Sequence, residues 1–224
     1  MIELCATKIE GSISEGMIKR SGEYLPPSFF RRALEKEGTF AGRQRFMGLL
    51  LLWRMINRRQ DSEGVKGETL EIAEHEGGKP YISGMPHIEF SISHKGDLVV
   101  CALNRCGAGE VASPIGVDVE VIPDDERRIS AIARRFFSSD ENAFIERSED
   151  RCEAFARIWT RKESLLKLRG EGIGRISSVN ALQPAGLTFF EYRTFIEGDR
   201  YLISLCCCED LICFDELEFI SFSE

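Results

Sequence analysis

The stretch Ser113–Pro123, SPIGVDVEVIP, sets two carboxylates two residues apart, Asp118 and Glu120, among the strand-forming Val117, Val119 and Val121. Residues two apart on a strand share a face, so two like charges stand side by side. An exposed strand tolerates such a pair without any purpose. A site for a hard divalent cation such as Mg²⁺ uses it, because the cation relieves the repulsion and prefers oxygen ligands. A third acidic ligand would decide between the two readings.

WTRKESLLK, Trp159–Lys167, offers one. On a helix, Phe155, Ile158, Trp159, Lys162 and Leu166 form one stripe, and Glu163 and Lys167 lie one turn apart on its flank. Alone, that pair reads as a surface ion pair worth roughly a few tenths of a kcal/mol. At a boundary between core and solvent, it brings a carboxylate to a metal and an ammonium to a phosphate. Upstream, GGKP makes a tight turn with Lys79 at its tip, and Ser93 and His94 close a strand before a hairpin. A lone GKP is ordinarily only a turn, and a lone His ordinarily a structural hydrogen-bonder. Together, these groups line a phosphate or nucleotide pocket.

The elements that must position these groups alternate between helices and strands. IELCATKI reads as a strand, PPSFFRRALEKE (Pro26–Glu37) as a short helix, and Phe40–Arg59 as a long one with Phe46, Leu49, Leu50, Trp53 and Ile56 at helical spacing. A β-rich stretch runs from Leu70 to Leu103, in which IEFSIS and DLVVCAL flank a hairpin turn at HKG. Asn104–Pro114 reads as a linker. A strand over Ile115–Val121 follows, then helices over Glu126–Phe137, from Ser138 with a Ser138/Glu141 capping box, and over Arg151–Leu168. The rest reads as strands, LTFFEYRTFI, RYLISLCCCE and LICFDELEFISF, with EGD turning between the first two. The predicted class is α+β with mainly antiparallel sheets.

Composition narrows the partners. A net charge of −8 argues against a broad nucleic-acid surface, although short arginine runs leave room for a small anion. The longest apolar run, Gly48–Trp53, is too short for a membrane span, and the N-terminus has no signal-peptide pattern, so a cytoplasmic location is expected. Eight cysteines show no CxxC or zinc-finger spacing and read as reduced, mostly buried thiols.

The order GKP, SISH, IGVDVE and, about forty residues on, WTRKESLLK resembles the 4′-phosphopantetheinyl transferase family. Gly116, Asp118, Glu120, Trp159, Thr160, Lys162, Glu163, Ser164 and Lys167 fit its signature, and the likeness is good over Gly78–Gly174. It looks like the monomeric type that activates peptide and polyketide synthases. That resemblance implies two similar subdomains, 1–108 for the nucleotide end of coenzyme A and 109–224 for the metal and catalytic helix, with the active site between them. It implies transfer of phosphopantetheine from coenzyme A to a serine of an apo carrier protein, releasing 3′,5′-ADP. Asp118, Glu120 and Glu163 would hold Mg²⁺ or Mn²⁺, Lys167 would contact the pyrophosphate, and Glu163 would also serve as base, directly or through a water. Gly78, Lys79, Pro80, Ser93 and His94 would hold the nucleotide end, with Arg43 on the 3′-phosphate and Arg31 or Arg32 assisting. The chain departs from the family pattern in SISHK, where N-x-S-H-S is common, and in a longer linker before Gly116. The competing readings are another Mg²⁺-dependent enzyme using a diphosphate, for which no P-loop signature is present, and a non-catalytic carrier-binding module.

Overall fold

The computed structural model describes residues 2–9, 18–19, 21–22, 25–34, 39–58, 71–182, 184–211 and 217–222. Strand β1 (Ile2–Lys8) is followed by helices α1 (Pro27–Leu34) and α2 (Phe40–Asn57). Then come β2 (Ile72–Glu74), β3 (Pro80–Ile82), β4 (Ile88–Lys95), β5 (Leu98–Arg105) and β6 (Gly116–Val121). Helices α3 (Glu126–Phe136), α4 (Ser139–Arg147) and α5 (Arg151–Arg169) precede β7 (Leu187–Ile196), β8 (Asp199–Cys208) and β9 (Glu218–Phe219). The fold is α+β, as the pattern predicts.

Local chemistry sets the boundaries. The Thr39 side chain accepts from the Gly42 backbone and opens α2. Ser138 and Glu141 form a reciprocal capping box at α4. Gly170, in the left-handed region, closes α5. Glu197 and Gly198, both at positive φ, turn β7 into β8 with Ile196 opposite Asp199. The expected linker starts two residues late, because Asn104 and Arg105 still belong to β5: Asn104 lies opposite both Ile2 and Glu89. Of LICFDELEFISF, Glu218–Phe219 form a strand, while residues 212–216 lie outside the described residues. So do Glu35–Glu37, Arg59 and Leu70 at the ends of other predicted elements.

The strand order is β4-β5-β1-β9 in one sheet and β6-β8-β7 in another, with β2-β3 as a separate pair. Period-two alternation sorts the side chains. Leu98, Val100 and Ala102 of β5 meet Val117 and Val119 of β6 and Ile203 and Leu205 of β8 in a core between the two larger sheets. Val99, Cys101 and Leu103 turn the other way, into a core with Phe46 and Leu50 of α2. Leu202 and Cys206 of β8 turn away from the central core, into clusters with Ile158 and Leu165 of α5. Each large sheet thus carries a helix on its outer face, giving two similar halves packed sheet to sheet. The seven cysteines among the described residues are free; Cys213 lies outside them.

Gly116 lets α5 approach β6. A β-carbon there would collide with the Ser164 carbonyl oxygen and the Leu168 backbone nitrogen, neither of which can swing aside. Gly116→Ala is therefore expected to destabilise the protein by about 3 kcal/mol, through overpacking against backbone. Urea unfolding measures this, and a midpoint equal to the parent's would contradict the close approach.

Candidate active site

The two halves meet at the C-terminal end of β4 and at β6. The Val117 backbone N–H donates to Ser91 Oγ at 3.0 Å, which ties the two strands together. Next along, Asp118 is 5% exposed, although it carries a charge. Its Oδ1 accepts from Ser93 Oγ at 2.8 Å and from Lys167 Nζ at 2.7 Å, and Lys167 Nζ also donates to Ser93 Oγ at 2.8 Å. Three elements, β4, β6 and α5, therefore close one triangle. The second Asp118 oxygen, Oδ2, is buried with no hydrogen-bond partner. A buried carboxylate oxygen left bare is costly, which marks a place for a ligand.

Glu120 is half-buried and pairs with Lys95 Nζ at 2.6 Å. Burial raises its pKa, and the Asp118 charge adds to the rise against the pull of Lys95. Glu163 comes down from α5 onto the same group. Burial first, then the charge of Asp118 and that of Glu120, push its carboxyl up to about 7, with Lys167 and Lys95 opposing. Asp118, Glu120 and Glu163 thus feel one another as a single cluster. Lys167 pairs with Asp118 across the interface, rather than with Glu163 along its own helix.

Lys162, one residue before Glu163, points the opposite way. It is fully buried, paired with Glu141 at 2.8 Å, and donates to the Ile176 and Val179 carbonyls. This anchor fixes the rotation of α5, so that Glu163 and Lys167 face β6.

The GGKP turn packs against the C-terminal end of α5. Gly77 abuts the Gly170 carbonyl so closely that no side chain fits, and Gly78 takes φ +82°. Lys79 Nζ donates to the carbonyls of Leu168 at 3.1 Å and Ile115 at 3.2 Å and pairs with Glu89. Its ammonium thus clamps the end of α5 to the start of β6, and Pro80 follows as the first residue of β3. His94 is exposed beside Ser93; partial desolvation, then the Lys167 charge, hold its pKa below the usual value. Arg43 lies in the first turn of α2 with its guanidinium over the Phe40 ring. The structure brings together Ser93, Asp118, Glu120, Glu163 and Lys167, while the Lys79 ammonium is held by Ile115, Leu168 and Glu89. Two residues escaped the sequence reading. Arg45, rather than Arg43, is the α2 residue whose charge is felt at His94, and Lys95 reaches Glu120. The signal for Lys95 was present in the departure SISHK.

Among the described residues, no three His, Cys, Asp or Glu side chains converge into a ready-made metal cage. Lysine ammoniums hold Asp118 and Glu120 instead. The donor set nonetheless fits a hard dication: three clustered carboxylates, one with a bare buried oxygen, suit Mg²⁺ or Mn²⁺ and not a soft metal.

A family model of the 4′-phosphopantetheinyl transferase superfamily matches residues 114–210, the span that carries β6, α5 and β8. A 4′-phosphopantetheinyl transferase of Bacillus subtilis is 28% identical over 174 residues, 72% of this chain and 73% of that protein. The 4′-phosphopantetheinyl transferase AcpT of Salmonella typhimurium is 40% identical over 121 residues, covering 53% of this chain and 59% of that one. The 4′-phosphopantetheinyl transferase Sfp of Bacillus subtilis strain 168 is 32% identical over 132 residues, 57% of this chain and 52% of that one. The chain thus aligns with roughly half to three quarters of each relative's length. Residues 114–210 are thus similar to the 4′-phosphopantetheinyl transferase superfamily.

The cluster makes the apo protein pH-sensitive. The Glu163 pKa is raised in the fold, so its contribution to stability is full below the ordinary carboxylate value of 4.5 and is lost as pH rises through about 7. Glu163→Gln removes that charge and keeps the shape. Without divalent cations it is expected to raise the melting temperature by roughly 2–5 °C at pH 8, an effect reduced by the partial exposure of the group, and to leave it unchanged at pH 4.5. A variant less stable than the parent at pH 8 would contradict the repulsion.

Proposed function

We propose that this protein transfers the 4′-phosphopantetheine group of coenzyme A to a serine of an apo carrier protein or carrier domain and releases 3′,5′-ADP. The observation that carries the reading is the bare, buried Oδ2 of Asp118, set among Glu120, Glu163 and Lys167. Asp118, Glu120 and Glu163 hold Mg²⁺, or Mn²⁺ in its place, and Lys167 binds the diphosphate. The nucleotide end rests on Gly78, Lys79, Pro80, Ser93 and His94, with Arg43 on the 3′-phosphate; Lys79 contributes through its turn, since its ammonium is already held. We assign these nucleotide contacts to residues 1–108 and the metal and catalytic helix to 109–224. One chain supplies every group, which supports a monomer. The net charge of −8 argues against a broad nucleic-acid surface, and no helix among the described residues is long and apolar enough to cross a membrane. The cytoplasm is the compartment that suits free thiols.

The dication, when bound, neutralises the diphosphate and the charge that gathers on the leaving 3′,5′-ADP. The rest falls to the chain. Glu163 is the carboxylate placed to take the proton from the carrier serine, directly or across one water. The serine oxygen forms its bond to the phosphorus of the pantetheine phosphate as the bond to the ADP oxygen breaks. Cys206 and Cys207 are poor nucleophiles, because burial pushes their thiols up to about 12 and about 11. A groove leads away from Glu120 past Val121, Pro123, Ile132, Phe155 and Trp159, apolar walls that suit the pantetheine arm. Exposed Arg134 and Arg135 on α3 give an acidic carrier a basic landing.

Incubation with coenzyme A, Mg²⁺ and an apo carrier protein is expected to add one phosphopantetheine to the carrier serine, seen by intact mass, with 3′,5′-ADP released. Asp118→Ala, Glu120→Ala and Glu163→Ala should each lower turnover at least about 100-fold. Arg43→Ala should raise the KM for coenzyme A but leave that for dephospho-coenzyme A unchanged. Full activity of Asp118→Ala at saturating coenzyme A, or phosphopantetheine found on the enzyme itself, would overturn this reading.

A further inference from the structure

Lys95 directly follows the His94 of SISHK. It is the last residue of β4, and its ammonium reaches across to β6 to pair with Glu120 at 2.6 Å. Glu120 and Asp118 alternate with the core-facing valines of the same strand, so each carboxylate has its own lysine: Lys95 on Glu120, Lys167 on Asp118. The lysines come from different elements, one from the end of β4 and one from α5. Lys95 also lines the groove that leads away from Glu120, so it stands between the carboxylates and the path of an incoming ligand. Its side chain is 46% exposed, which leaves it free to swing once its partner is taken.

We propose that Lys95 is a built-in counter-ion of Glu120 which a divalent cation must displace, and that its released ammonium then binds the diphosphate of the substrate. The proposal rests on the reading of this site as one for coenzyme A. Two effects of opposite sign follow. While Lys95 holds Glu120, it competes with the metal, so the apo protein binds a dication more weakly than a site with an uncharged residue there. Once the metal has taken Glu120, the ammonium sits within reach of an anion that carries two phosphates. It then adds a charge-assisted contact at the end of the diphosphate opposite Lys167. The chain thereby makes metal binding depend on the presence of the nucleotide.

The test needs no carrier protein and no turnover. Mn²⁺ binding to the apo protein is followed by electron paramagnetic resonance, and coenzyme A binding in saturating Mg²⁺ by calorimetry, for the parent, Lys95→Ser and Lys95→Arg. Lys95→Ser is expected to bind Mn²⁺ about three- to fivefold more tightly, the scale of an exposed ion pair removed. It should bind coenzyme A about tenfold more weakly, the scale of one lost charge-assisted hydrogen bond. Lys95→Arg should stay close to the parent in both. Unchanged coenzyme A affinity in Lys95→Ser would overturn the proposal, as would unchanged or weaker Mn²⁺ affinity. A parent that binds no coenzyme A would instead sink the reading of the site itself.

Discussion

The hydrogen-bonded triangle of Ser93, Asp118 and Lys167 joins three elements at one buried carboxylate. Everything else in the site depends on it. Asp118 is charged and nearly excluded from water, a placement that costs several kcal/mol unless partners compensate. Oδ1 has its partners and Oδ2 has none. The protein thus holds a half-satisfied carboxylate at the junction of its halves, close enough to raise the pKa of both Glu163 and Glu120. Stability alone would not select such an arrangement. On the proposed function, an incoming dication bearing a diphosphate would resolve it, which ties the strain to the chemistry.

The scaffold resists that repulsion through backbone contacts that leave little slack. Gly116 lets α5 lie directly on β6, the Lys79 ammonium clamps the end of α5 to the start of β6, and Gly77 seats its turn against Gly170. On the far side of α5, the Lys162–Glu141 pair is wholly buried, and Glu141 also caps α4 and accepts from the Ala181 backbone. A buried pair of this kind fixes geometry more than it adds stability. Breaking it would free α5 to rotate and carry Glu163 and Lys167 away from Asp118. In the motif WTRKESLLK, adjacent residues therefore do opposite work: Lys162 anchors inward while Glu163 reaches outward.

Much of this was legible in the sequence wherever the cause was local. The capping box at Ser138, the β4–β5 hairpin and the two-residue turn at Glu197–Gly198 follow from neighbouring residues. Asp118 and Glu120 were legible as a functional pair because strand alternation fixes their common face. The partners were not, since each lies far along the chain: Ser93 is 25 residues from Asp118, and Lys79 is 89 from Leu168. Lys79 reads from sequence as a nucleotide contact, and three oxygens from other elements instead occupy its ammonium. Glu163 and Lys167 read as a pair along one helix, yet Lys167 crosses to Asp118, because a buried carboxylate draws an ammonium more strongly than a half-exposed one.

The claim at the centre of this account is that three carboxylates on β6 and α5 form one electrostatic unit. It is tested most directly by carbon-13 NMR titration of the Glu163 carboxyl, first without divalent cations and then with Mg²⁺ and coenzyme A. The account predicts a pKa of about 7 in the free protein, falling to the ordinary carboxylate range near ~4 or below on binding. A free-protein value near the ordinary 4.5, unmoved by ligands, would show that Glu163 does not feel Asp118 and Glu120, and would contradict the account.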